Sequence, residues 1–354
     1  MTGTSDSSNP VRSGQLASAQ PAAVTCSTTP ASYSYDRHSY CLNSYTATLT
    51  NWSEEGEVLG TGVVLVSANA TLSVSSGQWP ESQTVTLSEA TGSVLGTGLG
   101  VTLTASCTAA CTATVPNPWA GSRLLKVGQS ATGNVTFLST PGAGLVSDIT
   151  TKYDLRVDQP GTSPINIDAT WSNPRQVRCD TTFASNTSTG CVISSVRAGL
   201  ILPLSSYGAA AATYGWAEAN LIDHWGSTAN PIQRLASDTT QTANRTNTCG
   251  AGATRPFVTL PANVPDDSCD EYPFAASYQG GTNGALCADV VPLLQNGVWQ
   301  FYQDPNAPAV THNEPCVRGH VPLTQNSAAG GKVGSNSQTE RIIDLEKYEV
   351  VITN

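Results

Sequence analysis

Apolar and polar residues alternate with a period of two through much of the first 200 residues. Thr71-Leu72-Ser73-Val74-Ser75, Thr84-Val85-Thr86-Leu87, Val101-Thr102-Leu103-Thr104 and Tyr153-Asp154-Leu155-Arg156-Val157 each put every second side chain on one face. That is the pattern of a half-buried strand. Gly and Pro fall between the runs, which recur about every ten residues, as in antiparallel sandwiches. The pattern predicts sandwich-like β structure over residues 24–203, either as one sandwich or as two split near Pro116–Pro118. Val58-Leu59-Gly60-Thr61-Gly62 recurs as Val94-Leu95-Gly96-Thr97-Gly98. Two copies are too few for a solenoid and read as two similar strand-turn units. Trp119 and Trp171 read as core or inter-sheet residues.

The period changes at Tyr207. Ala209-Ala210-Ala211-Ala212 leads into Trp216, Ala217, Ala219, Leu221, Ile222 and Trp225, which predicts a helix over 207–225 with Gly226 as its stop. Ser227 to Thr248 is polar and reads as a linker. A last domain opens near Cys249 and ends in two predicted strands, Arg341–Asp344 and Tyr348–Ile352. Residues 1–23 have little to bury and read as disordered. They hold no apolar run of the kind a secretory signal needs. Nowhere does the chain approach the ~20 apolar residues of a membrane-spanning helix. The expected fold class is multidomain. A disordered stretch (1–23) precedes an all-β, antiparallel sandwich-like region (24–203), a helix and linker (204–248) and a small α+β domain (249–354).

Composition narrows the function. Charged residues make up 12% of the 354, and the formal net charge is −10. That excludes a broad basic face for gripping nucleic acid, though not an enzyme that meets phosphate through a cation. Ten cysteines stand against one methionine. None forms a CxxC pair or a Cys/His cluster with zinc-finger spacing, so disulfides are favoured over metal binding. Pairing each cysteine with its near neighbour gives Cys26–Cys41, Cys107–Cys111, Cys179–Cys191, Cys249–Cys269 and Cys287–Cys316. Cys107–Cys111 would staple a tight turn. Disulfides imply an oxidising compartment and hence a secreted protein.

In so charge-poor a chain, Cys269-Asp270-Glu271-Tyr272-Pro273-Phe274-Ala275 and the following Gln279-Gly280-Gly281 stand out. Adjacent carboxylates can bind a divalent cation or serve as acid and base; the plainer alternative is a solvated turn beside a disulfide. Arg318-Gly319-His320-Val321-Pro322-Leu323-Thr324-Gln325-Asn326 follows downstream, and then Ser327-Ala328-Ala329-Gly330-Gly331.

Taken in order, the acid pair with Tyr-Pro-Phe-Ala, the Gly-Gly, the Val-Pro step ending in Asn and the Ala/Gly-rich turn resemble the NucA/NucB type of secreted bacterial deoxyribonuclease. The resemblance covers about residues 265–352. It implies a metal-dependent, sequence-nonspecific endonuclease acting on DNA with Mg²⁺ or Mn²⁺, in an exported, actinobacterial-type protein. It also implies that Asp270 lies in the active site as general base, that Glu271 is a second acid, and that Asn326 ligates the metal through its amide oxygen. Glu340 is a candidate for a metal-side acid. The chain departs from the pattern at Gln279, where members carry Glu before the Gly-Gly, and at Ser327, where a basic residue often follows the Asn.

Arg318-Gly319-His320 resembles the Asp-Arg-Gly-His of ββα-metal nucleases, with Val317 in place of the Asp. That makes His320 a candidate general base, against the alternative of a buried structural histidine. Arg318, Lys332 and Arg341 are the cations near enough in sequence to hold phosphates. Residues 226–354 hold seven Lys/Arg and twelve Asp/Glu, so 7 − 12 = −5. DNA affinity is therefore expected to be weak and dependent on metal and salt. Three readings follow. The first is a secreted DNase, monomeric, whose β region meets the cell wall or another extracellular protein. The second is an extracellular binding or structural protein with a degenerate nuclease domain, and the third is a nuclease toxin effector.

Overall fold

The two-residue alternation of the first 200 residues becomes strands whose inward positions fill one core. The computed structural model describes residues 24–114, 119–163, 168–183 and 189–354. The expected disordered stretch 1–23 and the Pro116–Pro118 split lie outside the described residues. The chain divides into two units, Ala22–Val196 and Arg197–Asn354.

In the first unit, strands β1 (Ser32–Tyr35), β2 (Ser39–Trp52), β3 (Val58–Thr71) and β4 (Gln78–Ala90) precede a short helix, α1 (Gly92–Thr97). Strands β5 (Leu99–Cys107), β6 (Cys111–Thr114), β7 (Arg123–Leu125), β8 (Ser130–Ser139) and β9 (Val146–Ile149) follow. The unit closes with β10 (Thr151–Asp158), β11 (Asp168–Ser172), β12 (Val177–Asp180) and β13 (Gly190–Val192). Three sheets result, ordered β1-β2-β3-β4-β8-β6, β11-β10-β5-β7 and β13-β12-β9. Val64, Val85 and Phe137 from the first sheet and Leu99, Leu103 and Leu155 from the second share one buried cluster. Ala22–Val196 clusters as one unit around it. Trp119 is buried in it, and Trp171 stacks on Tyr45 and Tyr153 at 4.3 and 5.2 Å. At its centre Glu81 accepts hydrogen bonds from the Tyr40 and Tyr153 hydroxyls and the Gln83 amide.

Two expectations for this unit change. The run Thr71–Ser75 is not a strand: β3 ends at Thr71 and the chain turns. The two copies of Val-Leu-Gly-Thr-Gly also differ. The first opens β3 against β2, whereas the second lies in α1 and its cap. Five identical residues adopt two structures because one copy has a partner strand. The other sits between Gly92 and Gly98, whose positive φ angles of 51° and 77° turn the chain at each end.

The second unit begins with β14 (Ala198–Pro203), α2 (Leu204–Asn220), β15 (Ile232–Gln233) and α3 (Asp238–Thr248). It continues with β16 (Asp267–Tyr272), β17 (Ala288–Gln295), β18 (Val298–Gln303), β19 (Val317–Pro322), α4 (Leu323–Thr339) and β20 (Lys347–Thr353). A mixed sheet runs β16-β19-β17-β18 and a smaller one β14-β20-β15. The alanine run of α2, with Tyr214 and Trp216, packs into the core these sheets share with α4. Small side chains let the helix lie close to the strands.

The sequence-predicted helix and linker are redrawn here. α2 starts at Leu204, bends at Gly208 and stops at Asn220, well short of Gly226. The expected linker holds α3, whose cap Ser237 accepts from the Thr240 N–H. The alternation predicts that the first β region runs to Pro203, but β14 pairs in parallel with β20. Residues 198–248 therefore belong with the C-terminal unit. Arg341–Asp344 is not a strand, since Arg341 takes a φ of 44° and turns the chain out of α4. The five disulfides are the five that near-neighbour pairing predicts. Among the described residues, no helix is long and apolar enough to cross a membrane.

Candidate active site

β16 and β19 run antiparallel, with Cys269 opposite His320, Asp270 opposite Gly319 and Glu271 opposite Arg318. Side chains of a strand alternate between faces. Ser268 and Asp270 therefore point to one side of the sheet, and Asp267 and Glu271 to the other. The adjacent acids do not form a pair acting on one atom.

On the first face the Asp270 carboxyl is 5% exposed. The Tyr214 hydroxyl of α2 lies 2.8 and 3.0 Å from its two oxygens and donates to them. The helix comes this close because residue 319, across from Asp270, is glycine: a Cβ there would lie 2.5 Å from Thr213 Oγ1. Burial pushes the Asp270 pKa well above the carboxylate range and the neighbouring Glu271 charge adds to it, while the Tyr214 hydrogen bond pulls the other way. β19 passes directly into α4, which carries Asn326. The Asn326 amide nitrogen donates to Ser268 Oγ at 3.1 Å and to the Cys269 carbonyl at 2.9 Å. These bonds hold the Asn326 amide against Ser268, which shares its strand face with Asp270. One residue earlier, Gln325 Oε1 accepts from the Ala209 N–H where α2 bends, tying α4 to α2.

The opposite face holds a buried ion-pair network. Arg318 is fully buried and grips both oxygens of Asp289 through Nε and Nη2, each at 2.7 Å. Its Nη1 donates to the carbonyls of Thr248 and Arg255, and the Arg255 guanidinium reaches the same Asp289. His320 is equally buried. Its Nδ1 lies 2.7 Å from Asp267 Oδ2, its Nε2 lies 3.5 Å from Asp304 Oδ2, and Phe257 stacks on the ring at 4.3 Å. These contacts bear on two sequence-based roles. Arg318 has its guanidinium engaged by Asp289, and His320 lies on the sheet face opposite Asp270. Glu271 is partly buried. Burial raises its pKa and Arg245 partly offsets that. Its carboxylate lies 3.4 Å from Cys249 Sγ, a disulfide sulfur with no proton to give.

The remaining candidates are scattered. Gln279 Oε1 accepts from the Gln233 N–H and fastens its loop to β15. Arg341 is buried. Lys332 is half-buried on α4. Glu340 caps the far end of α4, 340 − 326 = 14 residues beyond Asn326, or about 21 Å along the axis. One ion cannot bridge those two. Among the described residues, no group of three or more His, Cys, Asp or Glu is placed to hold a metal. Sequence reasoning missed Tyr214, Asp267, Asp289 and Asp304. Asp267 lies three residues before Asp270 on the same strand, a signal within reach. The other three carried none, because only the packing brings them in.

Residues 223–300 match the family model of deoxyribonuclease NucA/NucB. The NucA/NucB match spans α3, β16 and β17 and includes Asp270, Glu271 and Gln279. It ends before β19 and α4, so Asn326 and His320 are placed beside it by strand pairing and helix packing alone. No curated protein matches the chain. The C-terminal unit thus carries a nuclease-family domain, and five disulfides accompany it in the chain.

Proposed function

We propose that the protein is a secreted, metal-dependent endonuclease that hydrolyses DNA without sequence preference, with Asp270 as its general base. One observation carries this reading. Within and beside the NucA/NucB region, β16, β19 and α4 bring a buried carboxyl and a fixed amide to the same face of one strand. The disulfides support an oxidising, extracellular setting.

The donors suit a hard cation. The Asp270 carboxylate and the Asn326 amide oxygen are oxygen ligands, and the groups acting on the Asp270 charge, Glu271 and Tyr214, include no cation. Mg²⁺ commonly binds one or two carboxylates and fills its other positions with water. When bound there, Mg²⁺ or Mn²⁺ would neutralise charge on a phosphate oxygen. The chain's own residues do the rest. Asp270 accepts the proton of the attacking water, and its raised pKa brings its basicity nearer to the working pH. Tyr214 fixes the carboxyl orientation by donating to it. Asn326 is held by Ser268 and the Cys269 carbonyl, so it needs no reordering when substrate arrives.

A second reading, a degenerate nuclease domain kept for binding, is favoured by Gln279, which stands at the family's Glu and serves a backbone amide. Plasmid incubated with Mg²⁺ or Mn²⁺ separates the two, with EDTA, Asp270→Asn and Asn326→Ala as controls. Cleavage lost in all three controls supports the enzyme. Intact plasmid with the unaltered protein, in both metals and at low salt, supports the second reading.

A further inference from the structure

β2 is paired on both sides for only part of its length. β1 meets it over Tyr40–Asn43. Past the irregularity between Leu42 and Tyr45, the ladder of Tyr45–Trp52 runs to β3 alone among the described residues. Alternate residues of this eight-residue stretch therefore present an open row of backbone N–H and C=O groups. The stretch, Tyr45-Thr46-Ala47-Thr48-Leu49-Thr50-Asn51-Trp52, contains no charge and no proline. Those are the devices that ordinarily blunt an edge, and the composition favours strand pairing.

A cavity of about 320 Å³ lies along this edge, lined by every residue from Thr46 to Trp52. A cavity over the face of a sheet meets alternate side chains; one that meets seven in a row looks at the strand edge-on. Its other wall includes Val157, Gln159, Thr162, Asp168 and Ala169 of the neighbouring sheet and loop. Among the described residues the slot is open to a strand, with backbone on one side. Along it, Tyr45, Ala47 and Leu49 pack toward the core, while Thr46 and Thr48 are exposed on the other face. The Trp52 end is acidic. Glu54, Glu55 and Glu57 are exposed in the turn that follows, and Asp168 lines the slot. Trp52 is itself 58% exposed, an aromatic face suited to a cation.

We propose that Tyr45–Trp52 is a strand-addition site for an extended, basic segment of a partner polypeptide. The segment extends the six-stranded sheet by backbone hydrogen bonds. Its alternate apolar side chains continue the row of Ala47 and Leu49. Its Lys or Arg residues lie at the Trp52 end, against Glu54, Glu55, Glu57 and Asp168. Charge argues against a second copy of this chain as the occupant, since each copy carries −10.

The test uses the full chain and a fluorescein-labelled peptide, Lys-Val-Thr-Val-Thr-Val-Lys-Lys, beside the same peptide N-methylated at alternate amides. Binding is expected in the micromolar range. Hydrogen exchange should slow at residues 45–52 in the complex. N-methylation should weaken binding about tenfold or more through lost backbone hydrogen bonds. Asp168→Lys, at an exposed position, should weaken it several-fold while the fold is kept. Equal binding of the N-methylated peptide, protection elsewhere in the chain, or no binding near 1 mM overturns the proposal. Sedimentation showing a dimer, with residues 45–52 protected in the peptide-free protein, also overturns it and assigns the edge to a second copy.

Discussion

The Tyr214 hydroxyl shares its one proton between the two carboxyl oxygens of Asp270, at 2.8 and 3.0 Å. Tyr214 belongs to α2, which lies before the region matched by the nuclease family, while Asp270 lies within it. The contact therefore joins an element the family motif does not describe to the acid that heads the motif. Burial raises the pKa of both partners, so a neutral donor faces a carboxyl that resists ionising.

Tyr214→Phe removes the one interaction that lowers the Asp270 pKa, which should climb further. If Asp270 is the base, the acid limb of the pH profile of plasmid cleavage moves to higher pH. Unfolding free energy should fall by about 1–3 kcal/mol as a buried acceptor loses its donor. A destabilised variant with an unmoved pH profile would count against Asp270 as the base.

Asp270 also sets a dependence of stability on pH. Its folded pKa lies above its unfolded value, so the native state binds the proton more tightly. The stability this contributes is fully present below the unfolded pKa, about 4, and is lost as pH rises through the folded one. Asp270→Asn should flatten the loss and be the more stable protein at pH 8 in urea titrations. If Mg²⁺ binds the ionised carboxyl as proposed, it should raise the Tm of the parent protein at pH 8 and leave the variant unmoved. EDTA should reverse that gain. Equal Mg²⁺ responses in the two proteins would place the ion elsewhere.

Arg318 separates a buried structural role from a phosphate-holding one. Arg318→Met leaves Asp289 buried with Arg255 as its remaining guanidinium partner, and breaking such a network costs about 3–5 kcal/mol. The expected outcome is a large drop in unfolding free energy with the KM for DNA near the parent's at a temperature where the variant is folded. A raised KM with unchanged stability would restore the phosphate role.

Glu81 gives the first unit a dependence of the same sign. It is buried among Tyr40, Tyr153 and Gln83, and burial raises its pKa. Its stabilising contribution holds at low pH and is lost as pH rises through the folded value. Glu81→Gln keeps a hydrogen-bonding group of similar shape. Calorimetry should show a smaller drop in Tm between pH 5 and pH 8 than in the parent, in whichever transition belongs to this unit.

Legibility in the sequence followed the range of the physics. Val101–Thr104 and Tyr153–Val157 read as strands because alternation is a property of neighbouring residues. The disulfides read correctly because each closes a loop of at most 29 residues, where closure entropy favours near partners. Adjacency in sequence suggests that Asp270 and Glu271 act as a pair, but neighbouring side chains of a strand point to opposite faces. The two copies of Val-Leu-Gly-Thr-Gly show the same limit, since a pentapeptide does not choose between strand and helix without its partners.

The sequence by itself determined the strand-rich first unit, the five disulfides, the acidic balance and the nuclease-family motif around Asp270. Each is a matter of composition or of contacts close along the chain. Only the tertiary structure decided that β14 joins β20, that Tyr214 closes over Asp270, and that Arg318 and His320 face away from it. Those outcomes depend on burial and on strand register between distant segments. The free energy of burying a carboxyl or a guanidinium is set by what packs against it, and a local pattern does not contain that information.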